Sequence, residues 1–413
     1  MLPEMRRAGS LSAMTRTLFA GATVVDGTGA APSPADIVVE DGRIVEIGAD
    51  LDGDERVDLA GKAVLPGLFD CHTHVVVSTI DEMRNVQTPF SYRFYQAAQN
   101  LAATLGIGIT TVRDAGGADL GIKQAVADGL IPGPRMQISL SMITQTGGHG
   151  DPWTVSGAEL PFFPRHPGVP DTLVDGPDEM RRVTRTLIRM GADVIKVATS
   201  GGVLSPRDKP THAHLRPAEL EVLVEEASAA GIAVMAHSQA TPGIKNSMRA
   251  GIRSIEHGIY LDDEAIEMML QRGTWLVPTL MAPRGVLDAA DAGAAIPEAS
   301  VAKAREVVEV HRSAFARAVA AGVKVAMGTD SGVTPHGQNL RELALMVEGG
   351  MTPMQAIEAT TRSAAELMGL ADELGTLEPG KRADLVVVSG DPLEVGTLAD
   401  RVDVVYQDGV EVA

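Results

Sequence analysis

Asp70-Cys71-His72-Thr73-His74 decides how this chain reads. It follows the short apolar run Ala63-Val64-Leu65-Pro66-Gly67-Leu68-Phe69. Side chains alternate along a β-strand, so a His-x-His pair at a strand end puts both imidazoles on one face. Two imidazoles on one face can share a divalent metal. The pair gains force from four later residues. Lys196, His237, His257 and Asp330 each sit at or just past the end of a short β-branched or apolar run.

Those runs are part of a repeating pattern. Apolar, strand-like segments fall at 64–70, 109–114, 136–140, 194–197, 232–237, 254–257, 275–279 and 323–330. Between them lie amphipathic stretches of helical period, for example 217–230, 262–272 and 301–321. Several end in Ala-Gly or Met-Gly steps (Gly191, Gly231, Gly251, Gly322), where glycine just past a helix supplies the left-handed stop. Alternation of this kind reads as βα units with a parallel sheet. The number and length of the units predict an α/β fold of the (β/α)₈ TIM barrel class. A doubly wound sheet shares the periodicity, but would not converge side chains from this many strands on one point.

In a barrel the C-terminal strand ends gather on one face, where sites are built. The pattern therefore brings His72, His74, Lys196, His237, His257 and Asp330 to one mouth. Four imidazoles and a carboxylate exceed what one tetrahedral site uses. The surplus points to two divalent metal ions, roughly 3.5–4 Å apart. A buried ammonium beside two cations would be strongly repelled. A neutral Lys196 amine that has captured carbon dioxide becomes a carbamate, an anion whose two oxygens could bridge both ions.

Both ends of the chain differ from the middle. Leu18–Gly27, 35–42 and 43–48 look like short strands joined by tight turns, with Asp41-Gly42 a strong hairpin signal. Segments 383–388 and 402–412 repeat the style. Neither end can build a core alone, so a small discontinuous β-sandwich domain is expected from 17–65 and 374–413, with the barrel over 66–373. Residues 1–16 read as a disordered tail, or as an upstream start with Met14 the true one, because no continuous apolar stretch follows Arg6-Arg7.

Composition narrows the partners. Over 413 residues, 45% hydrophobic content indicates a globular protein with a sizeable core. A net charge of −19 argues against nucleic acid or an anionic membrane as the main partner, but not against a small anionic substrate near a metal cluster. No run of 18 apolar residues exists, so no transmembrane helix is expected. The single cysteine, Cys71, precludes an internal disulfide and suggests a reducing, cytoplasmic setting. Period two turns Cys71 away from its histidine neighbours, toward a buried, inert position.

With these residues in view, the chain resembles the amidohydrolase superfamily. The matching positions are His72-x-His74, Lys196, His237, His257 and Asp330, together with Val24-Val25-Asp26-Gly27, Pro66-Gly67-Leu68-Phe69-Asp70 and Gly375-Thr376-Leu377-Glu378-Pro379-Gly380. The strand-four lysine resembles the binuclear subtype with a carboxylated lysine bridge. Spacing is most similar to the imidazolonepropionase-related branch that contains Xaa-Pro and other dipeptidases. The resemblance implies zinc, although imidazole and carboxylate ligands would also admit manganese, iron or cobalt. It implies hydrolysis of an amide C–N bond in a small molecule such as a dipeptide or N-acyl amino acid, with Asp330 as proton shuttle. Cyclic amides, carbamates, ureas and lactones are the alternative substrates. A catalytically dead scaffold is the rival from another class, and no ligand position is lost here. Barrels of this kind commonly associate, so a homo-oligomer is expected.

The same resemblance implies substrate contacts at His149, in Gly147-Gly148-His149-Gly150-Asp151, and at Tyr260. A loop-ordering histidine and a packed tyrosine are the competing readings. The loop 200–216, with Arg207, Lys209, His212 and His214, reads either as a lid or as a solvated insertion. The aromatic segment Pro161-Phe162-Phe163-Pro164-Arg165-His166-Pro167 reads either as pocket lining or as packing for a long loop, with packing favoured; His311 is expected on a helix surface, and His336 is open to a role beside the site.

Overall fold

Parallel strands carry the candidate residues. The computed structural model describes residues 15–205 and 207–413. Leu68–Thr73, Ile109–Asp114 and Arg135–Ile138 form one parallel set, and Met142–Ile143, Val194–Ala198, Ala233–Ser238, Ser254–His257 and Trp275–Val277 form another. Both are buried throughout most of their length, the pattern of a parallel sheet covered by helices. The covering helices include Pro177–Arg189, Pro217–Ala229, Thr241–Ala250, Asp263–Arg272 and Glu298–Ala321. Gly251, Gly273 and Gly322 end three of them in the left-handed region.

Two expected strands take a different form. The run 64–70 divides at Pro66-Gly67 into Lys62–Pro66 and Leu68–Thr73, and each half joins a different sheet. Proline has no N–H to give a ladder, and it stands where the chain changes partners. The run 323–330 forms no regular strand. It lies between two strands and bonds to both: Leu276 N donates to Lys324 O (2.8 Å) and Ala326 N to Leu276 O (3.0 Å), while Cys71 N donates to Met327 O (2.9 Å) and Asp330 N to His72 O (2.7 Å). Its Gly328 sits so close to Leu68–Thr73 and Trp275–Val277 that a Cβ there would strike Val277 and His72.

Strands from both termini share one eight-stranded sheet, in which Leu385–Ser389 pairs antiparallel with Lys62–Pro66. Phe19, Ile37, Ile44, Val64, Leu385 and Val387 build its core. Asp41 and Gly42 both have positive φ (51° and 75°), as a two-residue hairpin turn requires. The tail expected over 1–16 falls mostly outside the described residues. Arg16 is already tied in, its carbonyl accepting from Asp54 N at 2.8 Å. Among the described residues no helix is long and apolar enough to cross a membrane.

Candidate metal centre and active site

The ends of the parallel strands, with the run 323–330, bring all six predicted side chains together. Lys196 Nζ lies 3.3 Å from His72 Nε2, and Asp330 Oδ1 lies 3.2 Å from His74 Nε2 and 3.5 Å from His72 Nε2. The His257 ring centroid is 5.1 Å from that of His72 and 4.6 Å from that of His237. Ligand atoms of His72, His257 and Asp330 all fall within 4.8 Å of one another. Lys196 is 1% exposed, and among the described residues no carboxylate stands within ion-pair distance of it.

Backbone strain contributes to this convergence. His257 and Asp330 adopt positive φ (71° and 61°), which is unfavourable for residues bearing a Cβ and tends to mark functional sites. Strand alternation alone would set His257 on the face opposite Glu256. The turn in the chain at His257 puts both on the His72 side, where Glu256 Oε2 meets His72 Nδ1 at 2.8 Å. Asp330 is held by its own amide, which donates to His72 O at 2.7 Å.

Each imidazole has one nitrogen committed to the protein. His72 Nδ1 faces the Glu256 carboxylate, and His74 Nδ1 donates to Gly116 O at 2.9 Å. His257 Nδ1 meets Thr279 Oγ1 at 2.6 Å. His237 is the reverse case: its Nε2 donates to Gly201 O at 3.2 Å, leaving Nδ1 uncommitted. Arg113 donates to both Glu256 oxygens (3.1 and 3.2 Å), so the carboxylate behind His72 is itself fixed. A histidine anchored at one nitrogen and free at the other is the usual form of a metal ligand. The donor set therefore fits divalent ions.

Electrostatics favour the same chemistry. Burial, aided by Lys196, pushes the His72 imidazole well below its ordinary pKa, and burial does the same to His237 and His257. These rings are neutral, the form that binds metal. Burial also lowers the Lys196 ammonium to about 8. For Asp330 burial acts upward, but hydrogen bonding to His74 and the nearby His72, His74 and Lys196 outweigh it and keep the carboxyl ionised.

A cavity of about 450 Å³ opens above this cluster. His149 lines it and stacks on His237, centroids 4.1 Å apart. Tyr260 does not line it; the ring is packed with the apolar group around Val203, Ile259 and Val307. Phe162 and Phe163 correct an expectation, because they form cavity wall instead of loop filling. Phe163 stacks on His74 at 5.2 Å, filling space left by Gly116 and Gly117. His311 corrects another. It is buried, not on a helix surface, and its Nε2 donates to the backbone oxygen of His257 at 2.9 Å. His336 bonds to Val77 O at 3.1 Å and stays outside the cavity wall. In the loop 200–216, Arg207 lies over the Trp153 ring and His214 is buried, while Lys209 and His212 are exposed. Cys71 is buried in an apolar cluster with Phe69, Trp275 and Val277, and burial pushes its thiol strongly up.

Several groups escaped the sequence reading. Glu256 and Thr279 bond to histidines and Arg113 to Glu256, all across the fold, and nothing in their local spacing marks them.

Fold and site together define a metal-dependent hydrolase class. Residues 63–412 match the amidohydrolase family, and the chain belongs to it. An ochratoxinase from Aspergillus niger is 34% identical over 409 residues, covering 94% of this chain and 84% of that protein. The crystal structure of a Xaa-Pro dipeptidase with methionine bound in its active site superposes with a TM-score of 0.87 at 33% identity, covering 96% of this chain and 99% of that one. A prolidase complexed with N-methylphosphonate-L-proline gives 0.87 at 34%, with the same coverage. Likeness to these structures implies the TIM-barrel fold.

Proposed function

We propose that this protein hydrolyses the amide C–N bond of a dipeptide or an N-acyl amino acid, using two divalent metal ions held by His72, His74, His237, His257, Asp330 and an N-carboxylated Lys196. The convergence of these six side chains carries the reading. Zinc suits the mixed nitrogen and oxygen donors. When bound, the ions would polarise the scissile carbonyl and lower the pKa of a water between them. Asp330 takes the proton released as water attacks, then delivers it to the leaving nitrogen, whose anion is too basic to depart. His149, on the cavity wall, is the candidate side chain for a polar contact with the substrate. Relatives that act on Xaa-Pro dipeptides support the substrate class. The parallel unit over 66–373 carries the chemistry, with 17–65 and 374–413 forming the terminal β unit against it.

The cavity also constrains the acyl or amino side chain. Beyond the histidines its wall is largely apolar, including Phe90, Phe162, Phe163, Leu204, Ile259 and Val286. Each buried methylene is worth about 0.8 kcal/mol. Among N-acyl amino acids, kcat/KM should therefore rise by about threefold or more per added methylene until the cavity is full. A screen of metal-loaded protein against dipeptides, N-acyl amino acids, carbamates, lactams and lactones tests the function. Hydrolysis confined to carbamates, lactams or lactones would favour the alternative substrates, and none at all would sink the reading.

The support behind His72 gives a second test. Glu256→Gln keeps the shape but removes the charge facing Nδ1. Metal affinity should fall about 10–100-fold, as for other outer-shell carboxylates. Competition with a chromogenic chelator reads this directly, and unchanged affinity would show that Glu256 does not orient the ligand.

A further inference from the structure

His149 is gripped more tightly than a wall residue requires. Its Nδ1 lies 2.8 Å from Ser205 Oγ, and the Ser205 hydroxyl is bonded to Asp208, with Asp208 Oδ2 a further 3.7 Å from the same Nδ1. All three side chains are buried. Serine has one hydroxyl proton. Given to the Asp208 carboxylate, it leaves the oxygen as acceptor, so Nδ1 must carry the hydrogen. Among the described residues His149 Nε2 has no protein partner. The ring is flanked by His237 on one side and by Gly202, where a Cβ would collide with the imidazole.

The loop that bears Ser205 and Asp208 is anchored in turn. Lys303, on the helix Glu298–Ala321, donates to Gly202 O (2.8 Å), Ser205 O (2.5 Å) and Asp208 O (3.1 Å). Asp208 also accepts from Gly202 N at 3.2 Å. Burial acts to raise the Asp208 carboxyl, but His149, Ser205 and Lys303 hold it at about 2. One cation therefore fastens the loop, and one carboxylate aligns the hydroxyl.

We infer that Ser205 and Asp208 are positioning residues, which fix His149 as its Nδ1–H tautomer and present Nε2 to the substrate. The loop 200–216 is on this view neither a mobile lid nor a solvated insertion; it is the bracket for one side chain. What Nε2 does for catalysis rests on the proposed hydrolase reading, whereas the tautomer and orientation do not.

Two measurements decide it. Long-range ¹H–¹⁵N spectra of metal-free protein, with the His149 signals identified by their loss in His149→Asn, should show the Nδ1–H form in the wild type. Ser205→Ala and Asp208→Asn should shift it to a mixture with the Nε2–H form. An unchanged tautomer in both variants overturns the inference. Ser205→Ala removes a single oxygen, so the test survives if Asp208→Asn fails to fold. The second measurement is a double-mutant cycle on kcat/KM for N-benzoyl-L-leucine. Asp208→Asn should cost about 10–100-fold when His149 is present, and under about twofold in His149→Asn, because the two act as one unit. Equal losses in both backgrounds would mean that Asp208 works through something else. If the wild type does not cleave this substrate, the functional reading suffers and the spectra alone decide the positioning.

Discussion

Asp330→Asn should lower kcat by about 10²–10⁴-fold, the usual contribution of a positioned general acid–base, while metal content stays near that of the wild type. The amide keeps the side-chain shape and one oxygen donor. It cannot accept the proton that water must lose, nor return one to the departing nitrogen. The position is specific: Oδ1 is 3.2 Å from His74 Nε2, and the backbone is locked by the bond from Asp330 N to His72 O at 2.7 Å. Nearby His74, His72 and Lys196 outweigh burial and keep the carboxyl ionised, which a proton acceptor must be. KM should move far less than kcat, because the lost interaction belongs to the transition state. Steady-state kinetics paired with metal analysis on one preparation provides the check. Full metal with near-normal turnover would remove Asp330 from the proton path.

Lys196→Ala should be at least as damaging, and for another reason. Fixing a ligand from behind is worth about 10–100-fold in affinity or activity, and removing a residue proposed to hold the metals itself should cost more. Lys196 is buried at 1% exposure, 3.3 Å from His72 Nε2. An ammonium in that position lacks a counter-charge at ion-pair distance among the described residues. Burial brings its pKa to about 8, so the neutral amine is already present near neutrality. A neutral amine adds carbon dioxide and becomes an anion, which answers the missing charge once cations arrive. The sign of the pH effect follows. The amine fraction grows as pH rises through about 8, so activation of metal-free protein by zinc and bicarbonate should be faster above that pH than below it. In Lys196→Ala, bound metal should fall, and the bicarbonate effect should vanish. A ¹³C-labelled carbamate signal in the wild type, absent in the variant, is the spectroscopic counterpart. Retained metal and turnover in Lys196→Ala would contradict the bridging role.

Much of the candidate site was legible because histidines and strand ends leave local marks. His72-x-His74 declares itself through period two, and Lys196, His237, His257 and Asp330 through apolar runs that stop at them. What remained hidden had non-local causes. Glu256 meets His72, Arg113 meets Glu256 and Thr279 meets His257, each from a different segment, and their spacing carries no trace of it. Phe162 and Phe163 looked like loop filling, because only the space over Gly116 and Gly117 turns them inward to His74. His311 looked exposed among charged neighbours; its partner, the His257 carbonyl, belongs to a different element. The run 323–330 has the composition of a strand, but close contact at Gly328 and the left-handed Asp330 restrict it to single bridges.

Read alone, the sequence determined the alternating βα architecture, the β-strand character of both ends and which six side chains to look for together, since each follows from periodicity or from residue chemistry at short range. Tertiary structure alone decided which nitrogen of each imidazole is free, what surrounds Lys196, and which side chains form the cavity wall. Those depend on hydrogen bonds and close approaches between residues far apart in the chain, and such contacts exist only after the strands have come together.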